Sequence, residues 1–304
     1  MSLIHRLAEL RESEERAILF TAVEGHVAGT KVLVLESGER IGDGLEEAVA
    51  QFDELIRRGR NALLALDDGS KVFAEWYGPP PRLFVYGAVD TAEALCRSAK
   101  LLGWHVIVAD ARGKFATRER IPSADELIVE WPQEALQQVQ PDHQMAVVVL
   151  THDDKFDEPA LIGALETEAF YVGALGSRRN QERRRERLLE VGVAEEKLAR
   201  IQGPCGLDIG ADTQSETALS ILAEVLAVRA QRPGGPLRWI VAAWSSCSPT
   251  IRSGMPSWPS GGPPTARSPR PVSSPRAAAA GRRRTIRSTR SRRRSRWSST
   301  GRTG

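Results

Sequence analysis

The chain has 304 residues, with 42 Lys and Arg against 39 Asp and Glu, which gives a formal net charge of +3. This near-neutral total conceals a split, because residues 239–304 contain 14 Arg and no Lys, Asp or Glu. Residues 1–238 therefore hold 28 basic against 39 acidic residues. No apolar run approaches the ~18 residues that span a bilayer, so no transmembrane helix and no membrane partner are expected.

The N-terminal segment is charged and lacks the apolar stretch of a secretion signal. The three Cys, at positions 96, 205 and 247, form neither a disulfide framework nor a C-x-x-C metal pair. We therefore expect a cytoplasmic protein in a reducing setting, with no metal site of its own.

Residues 1–80 show the pattern of a small α+β domain. Apolar spacing predicts helices over residues 3–16 and 45–58, and β-rich runs flank turn residues at 17–35. A hairpin is expected over residues 61–76, around Asp67-Asp68-Gly69-Ser70. The stiff segment Gly78-Pro79-Pro80-Pro81 is expected to end this domain.

Residues 81–238 alternate between apolar strands and helices. The strands are expected near residues 83–86, 104–109, 126–130, 145–150 and 169–172. Such alternation, with buried β-branched strands, predicts an α/β fold with a Rossmann-like, doubly wound parallel sheet. Ligands of such sheets bind beyond the carboxyl ends of the strands, so the loops after each strand are the places to look for a site.

Residues 239–304 are rich in Ser, Arg, Pro and Gly and show no periodicity of a packed core. We expect a disordered basic C-terminal tail. It is either a functional arm that neutralises phosphates or the product of a GC-rich gene translated out of frame, which would explain the missing Lys, Asp and Glu.

The turn after the first strand of this domain reads Gly87-Ala88-Val89-Asp90-Thr91-Ala92. It resembles the G-x-G-x-x-G/A dinucleotide fingerprint, but Val89 replaces the glycine that lets the backbone approach a pyrophosphate. Asp90 adds a negative charge and is expected to cap the next helix. The fold signal is therefore stronger than the nucleotide-binding signal.

Asp110 follows the second strand, where an acid commonly accepts a hydrogen bond from a ribose hydroxyl. The alternative is that Asp110 only caps the next turn. After the apolar strand 145–150 come His152 and Asp153, which are suited to proton transfer or to anion binding beside a sheet edge.

A further loop, Gly173-Ala174-Leu175-Gly176-Ser177-Arg178-Arg179, follows a strand and opens a helix. Ser177 can cap the helix, and Arg178 and Arg179 beside free amides form a candidate anion site. The Arg/Glu run that continues to Arg187 is expected to be a solvated helix face, and its glutamates argue against nucleic-acid binding.

The last loop, Gly206-Leu207-Asp208-Ile209-Gly210, is expected to bring Asp208 near the sheet edge. Thr213 and Glu216 then form a capping box for the final helix. Cys205 is either a soft metal ligand or a small buried residue.

Taken together, the strings GAVDTAEAL, LLGWHVIVADAR, THDDKFDEPAL, GALGSRRNQERRRERL and GLDIGADTQSETALSILAEVLAVRA resemble the xanthine dehydrogenase accessory factor family of the XdhC/CoxI type. The resemblance is strong over about residues 82–238, weak over 17–78 and absent from 239–304. The family's sequences typically end near a segment like Gly234–Arg238, which supports the out-of-frame interpretation of the tail.

The resemblance implies a non-catalytic maturation factor that binds the molybdenum cofactor (molybdopterin) as cargo and delivers it to a molybdenum hydroxylase apoenzyme. A cysteine desulfurase and a second copy of the chain are further expected partners. The cofactor's phosphate is expected at Gly176, Ser177, Arg178 and Arg179. The pterin is expected beside Gly87, Asp110, His152, Asp153 and Asp208.

Family members commonly carry Ser-Gly-Gly-Cys in the N-terminal domain, whereas this chain has Gly42-Asp43-Gly44-Leu45-Glu46, so no thiolate ligand is expected there. Two alternatives stay open. One is an NAD(P)-dependent oxidoreductase that uses the Gly87 turn, Asp110 and His152. The other is a scaffold that docks a hydroxylase without touching its cofactor.

Overall fold

The computed structural model describes residues 3–237. The predicted tail, residues 239–304, lies outside the described residues. The N-terminal part forms a five-stranded antiparallel sheet of order β3-β2-β1-β5-β4. Its strands are β1 (Ala17–Glu24), β2 (Lys31–Leu35), β3 (Arg40–Ile41), β4 (Ala62–Ala65) and β5 (Lys71–Tyr77).

Three short helices accompany this sheet: α1 (Leu3–Leu10), α2 (Glu46–Val49) and α3 (Phe52–Arg58). The single helix predicted over 45–58 is wrong, because the backbone tightens where the Gln51 amide donates to Ala48 O, three residues back. The first helix also ends earlier than predicted, since the charged residues that follow Leu10 give it no further apolar face.

The larger part is a six-stranded sheet of order β11-β10-β9-β6-β7-β8, in which every pair is parallel. Its strands are β6 (Arg82–Tyr86), β7 (His105–Ala109), β8 (Glu126–Ile128), β9 (Met145–Val149), β10 (Tyr171–Ala174) and β11 (Ile201–Gln202). The helices between them are α4 (Asp90–Leu101), α5 (Pro132–Val139), α6 (Asp154–Leu165), α7 (Arg178–Glu190), α8 (Glu195–Leu198) and α9 (Gln214–Arg229).

Side chains of alternate residues in β6 enter two separate cores. Leu83 and Val85 pack with α4 and α9 on one face, whereas Phe84 and Tyr86 pack with α5 and α6 on the other. Helices on both faces of a parallel sheet confirm the predicted doubly wound α/β fold. Numbered from β6, the strand order is 3-2-1-4-5-6, whose direction reverses between β6 and β9, and this is where such folds bind ligands.

Polar contacts join the two sheets. Gln144, just before β9, donates through Nε2 to Arg57 O at 2.6 Å, and Arg229 donates through Nη2 to Gly59 O at 2.8 Å. Arg16 forms an ion pair with Asp142. All described residues belong to one compact unit. None of the helices in residues 3–237 is long and apolar enough to cross a membrane.

Candidate functional site at the carboxyl edge of the parallel sheet

The predicted site residues follow the carboxyl ends of parallel strands. Gly87 follows β6 and Asp110 follows β7. His152 and Asp153 follow β9, Gly176–Arg179 follow β10, and Asp208 follows β11. Parallel pairing therefore places all these loops at the same edge of the sheet.

Gly87 lets the first turn pass close to the neighbouring loop. Its φ is +110°, and a Cβ at this position would lie 2.9 Å from Thr151 Cγ2 and 3.0 Å from the Thr151 backbone nitrogen. A side chain is thus excluded by both conformation and space. The glycine is needed for packing between the β6 and β9 loops, which requires no bound nucleotide.

Asp110 is buried and holds this edge together. One carboxylate oxygen accepts from the Ala88 amide at 2.9 Å, and Arg112 donates to both oxygens from Nε and Nη2 at 2.8 Å each. The Arg112 amide adds a fourth bond at 2.9 Å, as in an Asx turn. Burial acts to raise the pKa of Asp110, but the bonds from Arg112 and Ala88 outweigh it, and the pKa lies below its ordinary value.

Four donors occupy the four lone-pair directions of this carboxylate. A ribose or pterin hydroxyl would have to displace one of them. The geometry therefore makes Asp110 a positioning residue for Arg112 and the Gly87 turn. The predicted cap by Asp90 is wrong: Val89 is the N-cap residue of α4 without a side-chain cap bond, and Asp90 instead pairs with Arg120 at 3.2 Å.

A buried polar network joins the β9 loop to α7. Thr151 donates to Asp157, and Asp157 forms an ion pair with Arg184. All three residues are buried, and Arg184 also donates to Leu175 O at 3.2 Å. The prediction that the Arg/Glu run is a solvated face is thus wrong at Arg184, because the carboxylate of Asp157 compensates its charge inside the protein.

Beside this network lies a polar cavity of ≈ 150 Å³, here called the α7 cavity. It is lined by His152, Asp154, Asp157, Asn180, Arg183, Arg184 and Arg187. Asp154 pairs with Arg187 at 2.6 Å, and Asp157 pairs with Arg184. Arg187 also pairs with Glu158, whereas Arg183 is exposed and has no acceptor among residues 3–237, so Arg183 is the lining arginine without a carboxylate partner.

Ser177 caps α7 as predicted, since its hydroxyl accepts from the Asn180 amide at 3.3 Å. Gly176, with a φ of +137°, forms the turn before it. Arg178 and Arg179 are exposed, and neither lines the α7 cavity. Residues four apart share a helix face, so Arg179 lies one turn before Arg183 on the same face of α7, while Arg178 lies on a neighbouring face.

Arginine and lysine side chains also lie against aromatic rings at this edge of the sheet. The guanidinium of Arg112 lies 4.4 Å from the ring centroid of Phe115 and 5.4 Å from that of Phe156. Lys155 lies 4.8 Å from the ring of Trp131, which is 43% exposed and 5.2 Å from Phe156. We call these five residues the cation–aromatic cluster. Their faces and charges suit a planar anionic ligand.

The remaining predicted residues play smaller parts. Asp153 caps α6 by accepting from the Lys155 amide at 3.1 Å, and Asp208 is exposed with no polar contact among the described residues. Thr213 and Glu216 form the predicted capping box. Cys205 is buried, and burial raises the pKa of its thiol to about 12, so it behaves as a small core residue.

Sequence reasoning missed Asp157, Arg183, Arg184, Trp131 and Phe156. For Asp157 the only sequence signal was its place in the polar stretch after β9, and for Arg183 and Arg184 it was a run of arginines after β10. For Trp131 and Phe156, the only sequence signal was their position shortly after the strands β8 and β9.

Fold and site together define a doubly wound α/β protein whose carboxyl edge carries a polar cavity with an unpaired arginine, Arg183. Residues 83–225 match the family model described as the XdhC Rossmann domain. This match confirms the resemblance seen in the sequence over residues 83–225, while the weaker resemblance over residues 17–78 stays a prediction.

Among curated relatives, the chain is 36% identical over 186 residues to the Escherichia coli (strain K12) protein YqeB, covering 60% of this chain and 34% of YqeB. It is 32% identical over 163 residues to a Bacillus subtilis (strain 168) protein described as a probable xanthine dehydrogenase subunit, covering 54% of this chain and 47% of that one. It is 32% identical over 157 residues to the molybdenum cofactor insertion chaperone PaoD of E. coli (strain K12), covering 52% and 43%.

The aligned regions thus span between a third and a half of the curated relatives' lengths. Among solved structures, the chain is similar to a protein described as a xanthine dehydrogenase from Bacillus halodurans. The sequence identity is 20% and the TM-score 0.47, with 76% of this chain and 97% of that chain covered.

Proposed function

We propose that this protein is a non-catalytic maturation factor for a molybdenum hydroxylase, which binds molybdenum cofactor as cargo and delivers it to the apoenzyme. The XdhC Rossmann domain and the names of two relatives, a cofactor insertion chaperone and a xanthine dehydrogenase subunit, support this role. The structural observation that carries it is the uncompensated charge of Arg183 in the α7 cavity.

The cargo's chemistry matches this edge in two respects. Its phosphate needs cationic donors in a polar cavity, and Arg183 is a guanidinium without an acceptor in the described chain. The pyrimidine ring of its pterin is planar, and the exposed ring of Trp131 offers a flat surface beside Lys155. The segment from Thr151 to Phe156, which leads from β9 into α6, contributes to both features, with His152 at the cavity and Phe156 in the cation–aromatic cluster.

Within residues 3–237, no group of three or more His, Cys, Asp or Glu could hold a metal ion. Cys96 and Cys205 are buried in the core, and burial raises the pKa of their thiols to about 12. The proposal therefore assigns the described residues to the cofactor's organic part. Arg183 would hold the phosphate, with Arg179 one turn before it and Ser177 and Arg178 at the helix start as the contacts that the sequence predicts.

Delivery is tested by reconstitution. Full-length protein, xanthine dehydrogenase apoenzyme and isolated molybdenum cofactor are mixed, and active enzyme is measured against time. We expect the protein to increase the rate of activation and Arg183→Gln to reduce that increase. The same rate with and without the protein would refute delivery.

The two alternatives predict different partners. An NAD(P)-dependent oxidoreductase should bind NADH tightly in a fluorescence titration. Val89 and the fully hydrogen-bonded carboxylate of Asp110 argue against such binding. A cofactor-free scaffold should retain the apoenzyme in extracts that lack cofactor, yet bind no molybdopterin. A cysteine desulfurase and a homodimer remain proposed partners, to be examined by co-purification and by solution mass.

A further inference from the structure

A second cavity lies at the opposite edge of the parallel sheet. It has a volume of ≈ 780 Å³, within the range of about 300–1,000 Å³ typical of small-molecule sites. His143 and Phe170 line it just before β9 and β10, and Arg229 lines it at the end of α9. Residues of α3 form the other wall, so the cavity lies between the N-terminal part and the parallel sheet, and we call it the junction cleft. Ligand sites are common at such junctions between domains.

Arg229 is the unusual group in the junction cleft. Its Nη2 donates only to neutral oxygens, Gly59 O at 2.8 Å and Gln144 Oε1 at 3.2 Å. Its Nε is buried without a hydrogen-bond partner, and no carboxylate of the described chain pairs with it. Burial, with repulsion from Arg60, lowers the pKa of Arg229 to about 10. A cation in such surroundings is costly unless an anion compensates it.

His143 adds a second unsatisfied group. Its Nε2 is buried and has no hydrogen-bond partner among the described residues. Burial lowers the pKa of His143, and the nearby Arg16 and Arg57 act in the same direction, against Asp142 and Glu36, which act to raise it. The cleft is thus lined by an unpaired cation and by an imidazole nitrogen that lacks a partner.

The carboxylates of α3 that line the cleft do not compensate the charge of Arg229. Glu54 is already paired with Arg58 of the same helix, and the remaining Asp53 and Arg57 are both exposed and carry opposite charges. Phe170 and Val228 add an apolar wall. Trp104 lies behind it, 6.4 Å from Phe170 and 5.6 Å from the guanidinium of Arg229.

We propose that the junction cleft binds a small organic anion, whose carboxylate or phosphate pairs with Arg229 and whose apolar part lies against Phe170 and Val228. This site is independent of the proposed cargo site, since the two lie at opposite edges of the sheet. Arg229 donates to Gly59 O of the N-terminal part. A ligand that compensates the charge of Arg229 would therefore also stabilise the contact between the two sheets.

Calorimetric titration and thermal unfolding of the full-length protein test the proposal. The probes are benzoate and phenyl phosphate, with benzyl alcohol as the uncharged control. We expect saturable binding of at least one anion, a Tm that rises with its concentration, and no response to benzyl alcohol. Comparison of the two anions shows whether a carboxylate or a phosphate is preferred.

Arg229→Met should weaken binding at least tenfold, whereas Arg232→Met, an exposed position three residues later, should leave it unchanged. Ala50→Trp, a substitution at the exposed mouth that removes no polar contact, should also weaken binding at least tenfold and gives a second test if Arg229→Met fails to fold. Arg183→Gln should have no effect, which separates this site from the cargo site. Absence of saturable binding to both anions, or full binding by Arg229→Met, would overturn the proposal.

Discussion

Arg184 and Arg183 are adjacent in sequence, yet their environments give them opposite roles. Arg184 is buried, with Asp157 as its counter-charge. Arg183 is exposed at the α7 cavity and has no counter-charge in the described chain. Helical geometry turns neighbouring side chains about 100° apart, so one helix can both anchor itself to the β9 loop and present a free cation.

The buried pair predicts a large effect on stability. Asp157→Ala leaves the guanidinium of Arg184 buried without its counter-charge and removes the acceptor of Thr151, so the free energy of unfolding should fall by about 3–5 kcal/mol. Asp154→Ala breaks the more exposed pair with Arg187 and should cost about 1 kcal/mol or less. Urea unfolding of both variants measures the difference. Equal losses would show that the network does not anchor α7.

At the scale of elements, the Gly87 turn and the loop after β9 depend on each other. Gly87→Ala should destabilise the protein by strain at its positive φ, and by a further ~1–3 kcal/mol because its Cβ would meet Thr151. Gly38→Ala is the matched control: its φ is +89°, but a Cβ there has nothing within 4 Å. Thermal or urea unfolding should therefore rank Gly87→Ala as the less stable variant, and the reverse order would contradict the packing argument.

The strands, the parallel sheet and the capping box at Thr213 were predictable, since each depends on a local pattern of apolar or capping residues. The two-residue strand β11 is too short to leave such a pattern. The burial of Arg184 was not predictable, because the run around it is strongly polar and its partner Asp157 lies 27 residues earlier. Ion pairs between different helices and strands depend on the tertiary structure, so no short stretch of sequence reveals them.

At the scale of the whole molecule, Asp142 connects the two parts of the chain. It pairs with Arg16 before β1 and with Arg82 of β6, the latter at 3.1 Å. Burial acts to raise the pKa of Asp142, but the bond from Arg16, the Gln144 amide and the charge of Arg82 outweigh it, so the pKa lies below its ordinary value.

A carboxyl whose pKa is lowered by folding stabilises the protein above its unfolded pKa of about 3.9, and this stabilisation is lost as the pH falls through the lower folded pKa. Asp142→Asn should therefore lower the free energy of unfolding by about 1–3 kcal/mol near neutral pH. The difference from wild type should shrink below about pH 4. Urea unfolding across this range measures it, with the exposed Asp53→Asn as a control that should differ little from wild type. A difference that stays constant with pH would contradict the assignment.

The central claim is that the carboxyl edge of the parallel sheet holds a phosphorylated pterin through Arg183. Calorimetric titration of molybdopterin into full-length wild type, Arg183→Gln, Arg178→Gln and Arg185→Gln tests it most directly. Loss of a charge-assisted contact should cost Arg183→Gln about 1.5–3 kcal/mol of binding free energy. Arg178→Gln should lose less, and Arg185→Gln, whose arginine pairs with Glu195, should bind as wild type does. Unchanged affinity in Arg183→Gln, or no binding by wild type, would contradict the claim.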